Sequence, residues 1–123
     1  MYTILSAAPQ FLVDNLDASL KFYKEILDFG VDFVYEEFYA GISLRGGSIH
    51  LKRAPKTLED RTHRKANEHL DAYFTVTGIE SLYNTLKDRG APILRPLETR
   101  PWGMRDFYIE DPDGYILCFG EPA

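Results

Sequence analysis

Three histidines, His50, His63 and His69, and one cysteine, Cys118, are the imidazoles and the thiol of this 123-residue chain. They bound the metal and nucleophile chemistry open to it. A zinc site would need such side chains, with carboxylates counted, to converge at about 2.0–2.3 Å. His69 lies two residues before Asp71, so in an extended strand both would sit on one face. A Cys/His nucleophile would need His50 to face Cys118. Each residue also has a plainer reading. His50 reads as a strand histidine, and such a residue commonly bonds a neighbour or water. His63 lies between Arg61, Arg64 and Lys65, where solvation accounts for it. Nothing beside Cys118 in the sequence would draw its thiol toward the thiolate, so it reads as a small buried hydrophobe.

Aromatic residues are the stronger lead. Tyr35, Phe38, Tyr39, Tyr73, Trp102, Phe107 and Tyr108 fall in segments that read as strands and loops. Pockets for planar or extended ligands are lined this way, with a few polar groups fixing orientation; ordinary core and subunit packing accounts for at least half of the set. Along 105–110, one face carries Arg105, Phe107 and Ile109 and the other Asp106, Tyr108 and Glu110. Trp102 could stack on a ligand and Arg105 could meet its carboxylate or phosphate. Against that, Trp102 could bury at a subunit contact and Arg105 could pair with Asp106 or Glu110.

The elements that must position these residues repeat. A strand over Pro9 to Val13 leads through the capping cluster Asp14 and Asn15 into a helix with Leu16, Leu20, Tyr23 and Leu27 on one face. Gly30 reads as the helix stop. Strands follow at 31–36, 38–44 and 48–52, the last two joined by Gly46 and Gly47. The second copy starts at Leu70 to Val76, enters a helix at Thr77 and Gly78 with Ile79, Leu82, Tyr83 and Leu86 on one face, and stops at Gly90. Strands are expected at 92–94, 105–110 and 115–119. Asp111-Pro-Asp-Gly114 joins the last two, proline presetting φ and Gly114 supplying φ > 0. The repeat is seen best in Val13 and Leu16 against Val76 and Ile79. Residues 54–68 read as an exposed charged connector with room for a short helical turn, and 95–104, with Pro96, Pro101 and Gly103, as an irregular loop holding Trp102.

Composition narrows the partners. With 45% hydrophobic and 14% aromatic residues the chain can bury a substantial interior. A net charge of −5 argues against nucleic acid, whose phosphates need a clustered basic face. One cysteine permits no intrachain disulfide. The N-terminus lacks a secretory pattern and no apolar run approaches the ~20 residues that span a bilayer, so a cytoplasmic protein with no membrane partner is expected.

The run from Phe11 to Gly30, followed at this spacing by Trp102-Gly-Met-Arg105, a strand, and Asp111-Pro-Asp-Gly114 with its closing strand, resembles the vicinal oxygen chelate superfamily. That superfamily comprises glyoxalase I, extradiol dioxygenases and bleomycin-resistance proteins. The resemblance covers nearly the whole chain. It implies one α+β domain over 1–123, built of two βαβββ modules at about 7–53 and 69–121 with the connector 54–68 between them. It implies that their curved mixed sheets form a cup completed in a homodimer.

The resemblance also implies ligand points, at Ala8, His50, Asp71 and Cys118. The metal-dependent members use His, Gln and Glu there, and Ala8 cannot coordinate. A two-residue slip would bring Gln10 and His69 in place of Ala8 and Asp71. No metal or other cofactor is therefore expected; a divalent ion, if held, would use His50, Asp71 or His69, and Cys118. The Trp102 to Arg105 run resembles the metal-free, bleomycin-resistance-like branch. The expected function is metal-independent binding of an aromatic or amphipathic small molecule by Trp102, Arg105, Tyr108, Tyr73, Phe38, His50 and Cys118. A glyoxalase-like metal-dependent lyase, isomerase or dioxygenase is the alternative, and a non-catalytic interaction subunit a third.

Overall fold

The computed structural model describes residues 1–54 and 61–123. Its contacts divide the chain into two units, Met1–Leu58 and Glu59–Ala123.

In the first unit, β1 (Gln10–Val13) leads into α1 (Leu16–Lys21). The Asn15 side chain, three residues ahead, accepts the Ala18 N–H at 3.0 Å and satisfies a donor that the first helical turn leaves unpaired. The helix widens into a π turn over Phe22–Ile26. It ends at Asp28, whose φ is 62°, so the left-handed residue is Asp28. Gly30, expected as the stop, is the first residue of β2 (Gly30–Tyr35). Next come β3 (Tyr39–Leu44) and β4 (Gly47–Arg53), joined by Arg45 and Gly46, with Arg45 at φ 50°.

The sheet order is β1-β4-β3-β2, with β1 parallel to β4 and the other pairs antiparallel. Alternation sends Phe11, Val13, Ala40, Ile42, Ile49 and Leu51 to one face, where they are buried with Leu16, Tyr23, Leu27 and Phe29. Gln10, Tyr39, Gly41 and His50 fall on the open face.

The second unit repeats the plan. A short helix α2 (Thr62–Ala66) precedes β5 (Ala72–Thr75), α3 (Ile79–Asp88), β6 (Ile93–Thr99), β7 (Met104–Glu110) and β8 (Ile116–Pro122). The helical turn expected in the connector is α2; residues 55–60 of that connector lie outside the described residues. The order β5-β8-β7-β6, again with the outer pair β5 and β8 parallel, matches the first sheet.

The irregular loop expected over 95–104 is corrected, since most of it is β6. Pro96 is compatible with that strand because β6 is a sheet edge, where a missing N–H breaks no ladder. Pairing with β7 shifts at Ile93/Arg95 and Arg95/Glu98, irregularities that blunt the edge. Between β7 and β8, Asp111 Oδ1 accepts the N–H groups of Asp113 and Tyr115, both at 2.9 Å, and Gly114 takes φ 88°. The Phe107 ring lies 5.0 Å from Tyr83 of α3 and 5.5 Å from Phe119, so the face carrying Phe107, Ile109, Leu117 and Phe119 packs under the helix. No helix among the described residues is long and apolar enough to cross a membrane.

Candidate functional site

On the open face of the first sheet, His50 lies opposite Gly41 across β3 and β4. Its Nδ1 is 2.9 Å from the Tyr39 hydroxyl. Gln10 Nε2 donates to that same hydroxyl at 3.1 Å. Gln10 and His50 thus meet on one phenol oxygen. Phe33 completes the group, stacked on Tyr39 at 6.1 Å and edge-on to His50 at 5.6 Å.

A bulge turns Phe33 to this side. Val31 pairs with Ile42 but Phe33 with Gly41, so the extra residue Asp32 inverts the alternation. The Phe33 ring then occupies the space a side chain at Gly41 would need. Phe38 packs against Tyr35 at 5.9 Å and Tyr39 at 6.1 Å. The result is a half-exposed aromatic surface around one oriented imidazole.

The open face of the second sheet carries the row Tyr73, Cys118 and Tyr108, matched in register across β5, β8 and β7. Cys118 is fully buried in a cluster with Tyr108 and Ile116, against Leu70 and Leu94. Burial, and then the Asp106 charge, push the Cys118 thiol up to about 12. The Tyr73 and Tyr108 phenols are also raised, chiefly by burial. All three groups are therefore protonated at neutral pH and can donate.

A cavity of about 190 Å³ is lined by Lys65, Glu68, Leu94, Tyr108 and Ile116. Arg95 flanks it, its guanidinium 5.6 Å over the Tyr108 ring and 2.7 Å from Glu68. The row between Tyr73 and Tyr108 was within reach of sequence reasoning. The pair Arg100–Asp106 on the same face was not, and neither was Phe33, whose orientation depends on the bulge.

Asp71 is spent on a clamp. Its carboxylate accepts from Arg61 Nη2, from Arg64 Nη2 at 2.9 Å, and from the Ile116 N–H at 2.8 Å. Arg61 is further fixed by Gly114 O at 2.9 Å and by stacking on Tyr115 at 4.3 Å. Solvation alone does not account for this basic run: the i, i+3 spacing from Arg61, the N-cap of α2, to Arg64 brings both to one carboxylate. His63 does stay exposed, bonded to Asn67. His69 lies beside it at 5.5 Å, ahead of β5, so the two-residue slip that would give His69 the place of Asp71 does not occur.

The donor set does not fit a divalent ion. Ala8 offers no ligand atom and Gln10 is turned to Tyr39. Asp71 is saturated by two guanidinium groups, and the Cys118 thiol is far from ionised. Among the described residues, no three His, Cys, Asp or Glu side chains gather into a possible metal site.

Arg105 is not brought to the Tyr73 row. It shares the helix-side face with Phe107, and among the described residues the carboxylate it approaches is that of Glu80, at 4.0 Å, not Asp106 or Glu110. Trp102 stands in the tight turn between β6 and β7, 67% exposed. Gly103 at φ 87° shapes that turn.

Two four-stranded sheets of one order, each with its helix between the first and second strands, define a tandem of βαβββ modules. The chain belongs to the glyoxalase/bleomycin resistance protein/dioxygenase superfamily, whose family model matches residues 5–119. The bleomycin-binding protein of Streptomyces verticillus, solved with copper(II)-bleomycin, is 21% identical and has a TM-score of 0.70, covering 100% of this chain and 98% of that one. TioX of Micromonospora sp. ML1 is 16% identical with a TM-score of 0.75, over 96% and 99%. Lactoylglutathione lyase of Agrobacterium tumefaciens is 15% identical with a TM-score of 0.72, over 98% and 96%. At such identities the likeness concerns the fold. No curated protein sequence matches the chain.

Proposed function

We propose that the protein binds a small aromatic or amphipathic molecule without a metal, by sequestration, in the manner of the bleomycin-resistance proteins. One observation carries the reading: the Asp71 carboxylate at a ligand point of the metal-dependent members is held by Arg61 and Arg64. Two internal guanidinium groups stand where a cation would have to enter. Binding by sequestration needs no ionised nucleophile and no Lewis acid. It uses what the chain offers, the Phe33, Phe38, Tyr39 and His50 surface, the Tyr73, Cys118 and Tyr108 row, and the exposed Trp102. A homodimer in the cytoplasm belongs to the same reading, with Trp102 reaching the ligand from its turn. The likeness to the copper(II)-bleomycin complex supports the ligand class, and that to the lyase marks the competing one.

Elemental analysis of undialysed protein and of His50→Ala, paired with a titration by copper(II)-bleomycin read on Trp102, the single tryptophan, tests the reading. Saturable quenching that survives removal of protein-bound metal is expected. One equivalent of divalent metal, lost in His50→Ala, would overturn it in favour of a glyoxalase-type lyase or dioxygenase.

A further inference from the structure

Lys65 and Glu68, at the end of α2, line a cavity of about 190 Å³ together with Leu94, Tyr108 and Ile116. Ile116 and Tyr108, 1% and 8% exposed, and the half-buried Leu94 make its largely apolar wall. The Lys65 and Glu68 side chains are 52% and 49% exposed, so the cavity opens to solvent on their side. A cavity of about 150 Å³ lined by Leu, Ile and Phe takes up benzene. One six-membered ring is therefore the size that this cavity accepts.

Glu68 stands where backbone geometry favours glycine. Asn67 is the C-cap of α2; the Glu68 N–H donates to Lys65 O at 3.3 Å and the His69 N–H to Arg64 O at 2.8 Å. That is the pairing of a Schellman turn, whose left-handed residue, here Glu68 at φ 55°, is usually glycine. A side chain there strains the backbone. Its ion pair with Arg95 at 2.7 Å is partly solvated and returns little of that cost. What the side chain supplies beyond the pair is a carboxylate oxygen at the cavity mouth: Arg95 holds Oε2, and no described residue bonds Oε1.

Charge decides what group fits. The Lys65 ammonium approaches one described carboxylate, Glu110 at 3.5 Å, and keeps donors to spare. Lys65 and Arg95 thus balance Glu68 and Glu110, and the mouth offers both an acceptor and donors. A ligand carboxylate would be drawn by Lys65 and repelled by Glu68, an ammonium the reverse, and each would give up hydration. An uncharged group that both donates and accepts gains both contacts.

We propose that this cavity is a subsite for an uncharged one-ring ligand bearing a hydroxyl or primary amide, the ring on Leu94, Tyr108 and Ile116 and the polar group held by Glu68 Oε1 and Lys65 Nζ. It rests on the small-molecule-binding reading and names the ligand chemistry of one part of it.

Benzyl alcohol, benzylamine and benzoate share the ring and differ in charge; each is titrated into the isotopically labelled full chain and followed by backbone amide NMR. Benzyl alcohol is expected to shift Leu94, Tyr108, Ile116 and the end of α2, with the two charged probes about fivefold weaker. Glu68→Gly suits the left-handed backbone, so the variant folds. It should weaken benzyl alcohol roughly fivefold and, leaving Lys65 and Arg95 against Glu110 alone, strengthen benzoate. A charged probe binding as tightly as the alcohol, or an unaffected Glu68→Gly, would overturn the inference. Saturable copper(II)-bleomycin binding with no benzyl alcohol shifts around the cavity would overturn it while leaving the binding function standing, and absence of copper(II)-bleomycin binding would remove that function separately.

Discussion

Replacing Asp71 by asparagine separates a structural clamp from a metal ligand. The Arg61 and Asp71 side chains are only 12% and 10% exposed, and breaking a buried pair by neutralising one partner costs about 3–5 kcal/mol. The Arg64 side chain is 34% exposed, so its share is screened and adds no more than about 1 kcal/mol. Asparagine keeps one acceptor oxygen, which returns about 1 kcal/mol. A net loss of roughly 3 kcal/mol follows from these terms. At a urea slope of about 1.5 kcal/mol per molar, the unfolding midpoint should fall by about 2 M with the slope unchanged. Urea unfolding in chelator and again with added zinc is the assay. A double-mutant cycle with Arg61→Ala should return a coupling above about 1 kcal/mol. A loss below about 1 kcal/mol, or a deficit that appears only with zinc present, would refute the clamp and restore Asp71 as a ligand.

Cys118 should resist iodoacetamide in the native protein, since its thiol titrates near 12 against an ordinary 9.0; rapid labelling of the folded chain would contradict this burial. For the same reason the unfolded chain gives up its proton first in alkali. The stabilisation, whole below pH 9, is lost as pH rises toward 12, and Cys118→Ala should flatten that decline in urea midpoints. Asp106→Asn leaves Arg100, 3% exposed, with the half-exposed Glu98 as its carboxylate partner and should cost about 2–3 kcal/mol in thermal unfolding; a neutral result would mean the pair is solvated. Trp102→Ala should weaken copper(II)-bleomycin binding by about 2 kcal/mol, roughly thirtyfold, with fold and midpoint unchanged. Equal affinity, read by calorimetry, would take Trp102 out of the site.

What the sequence by itself determined is local. The Asn15 cap, the helical spacing of Leu16 and Tyr23, the turn at Asp111 to Gly114 and the matching order of the two halves were all legible, because capping, turn geometry and periodicity act over a few residues. β6 was hidden by Pro96, whose fit depends on the strand being an edge, and edge position is a property of the assembled sheet. The pairings that make the candidate site were decided by tertiary structure. Tyr39 meets His50 through the register of β3 and β4. Phe33 reaches the open face through one extra residue at Asp32. Asp71, just ahead of β5, meets Arg61 and Arg64 at α2, and Arg100 meets Asp106 across the β6–β7 turn. Each turns on register, and a shift of one residue sends a side chain to the opposite face; composition and spacing do not carry that information, whereas hydrogen-bonded strands do.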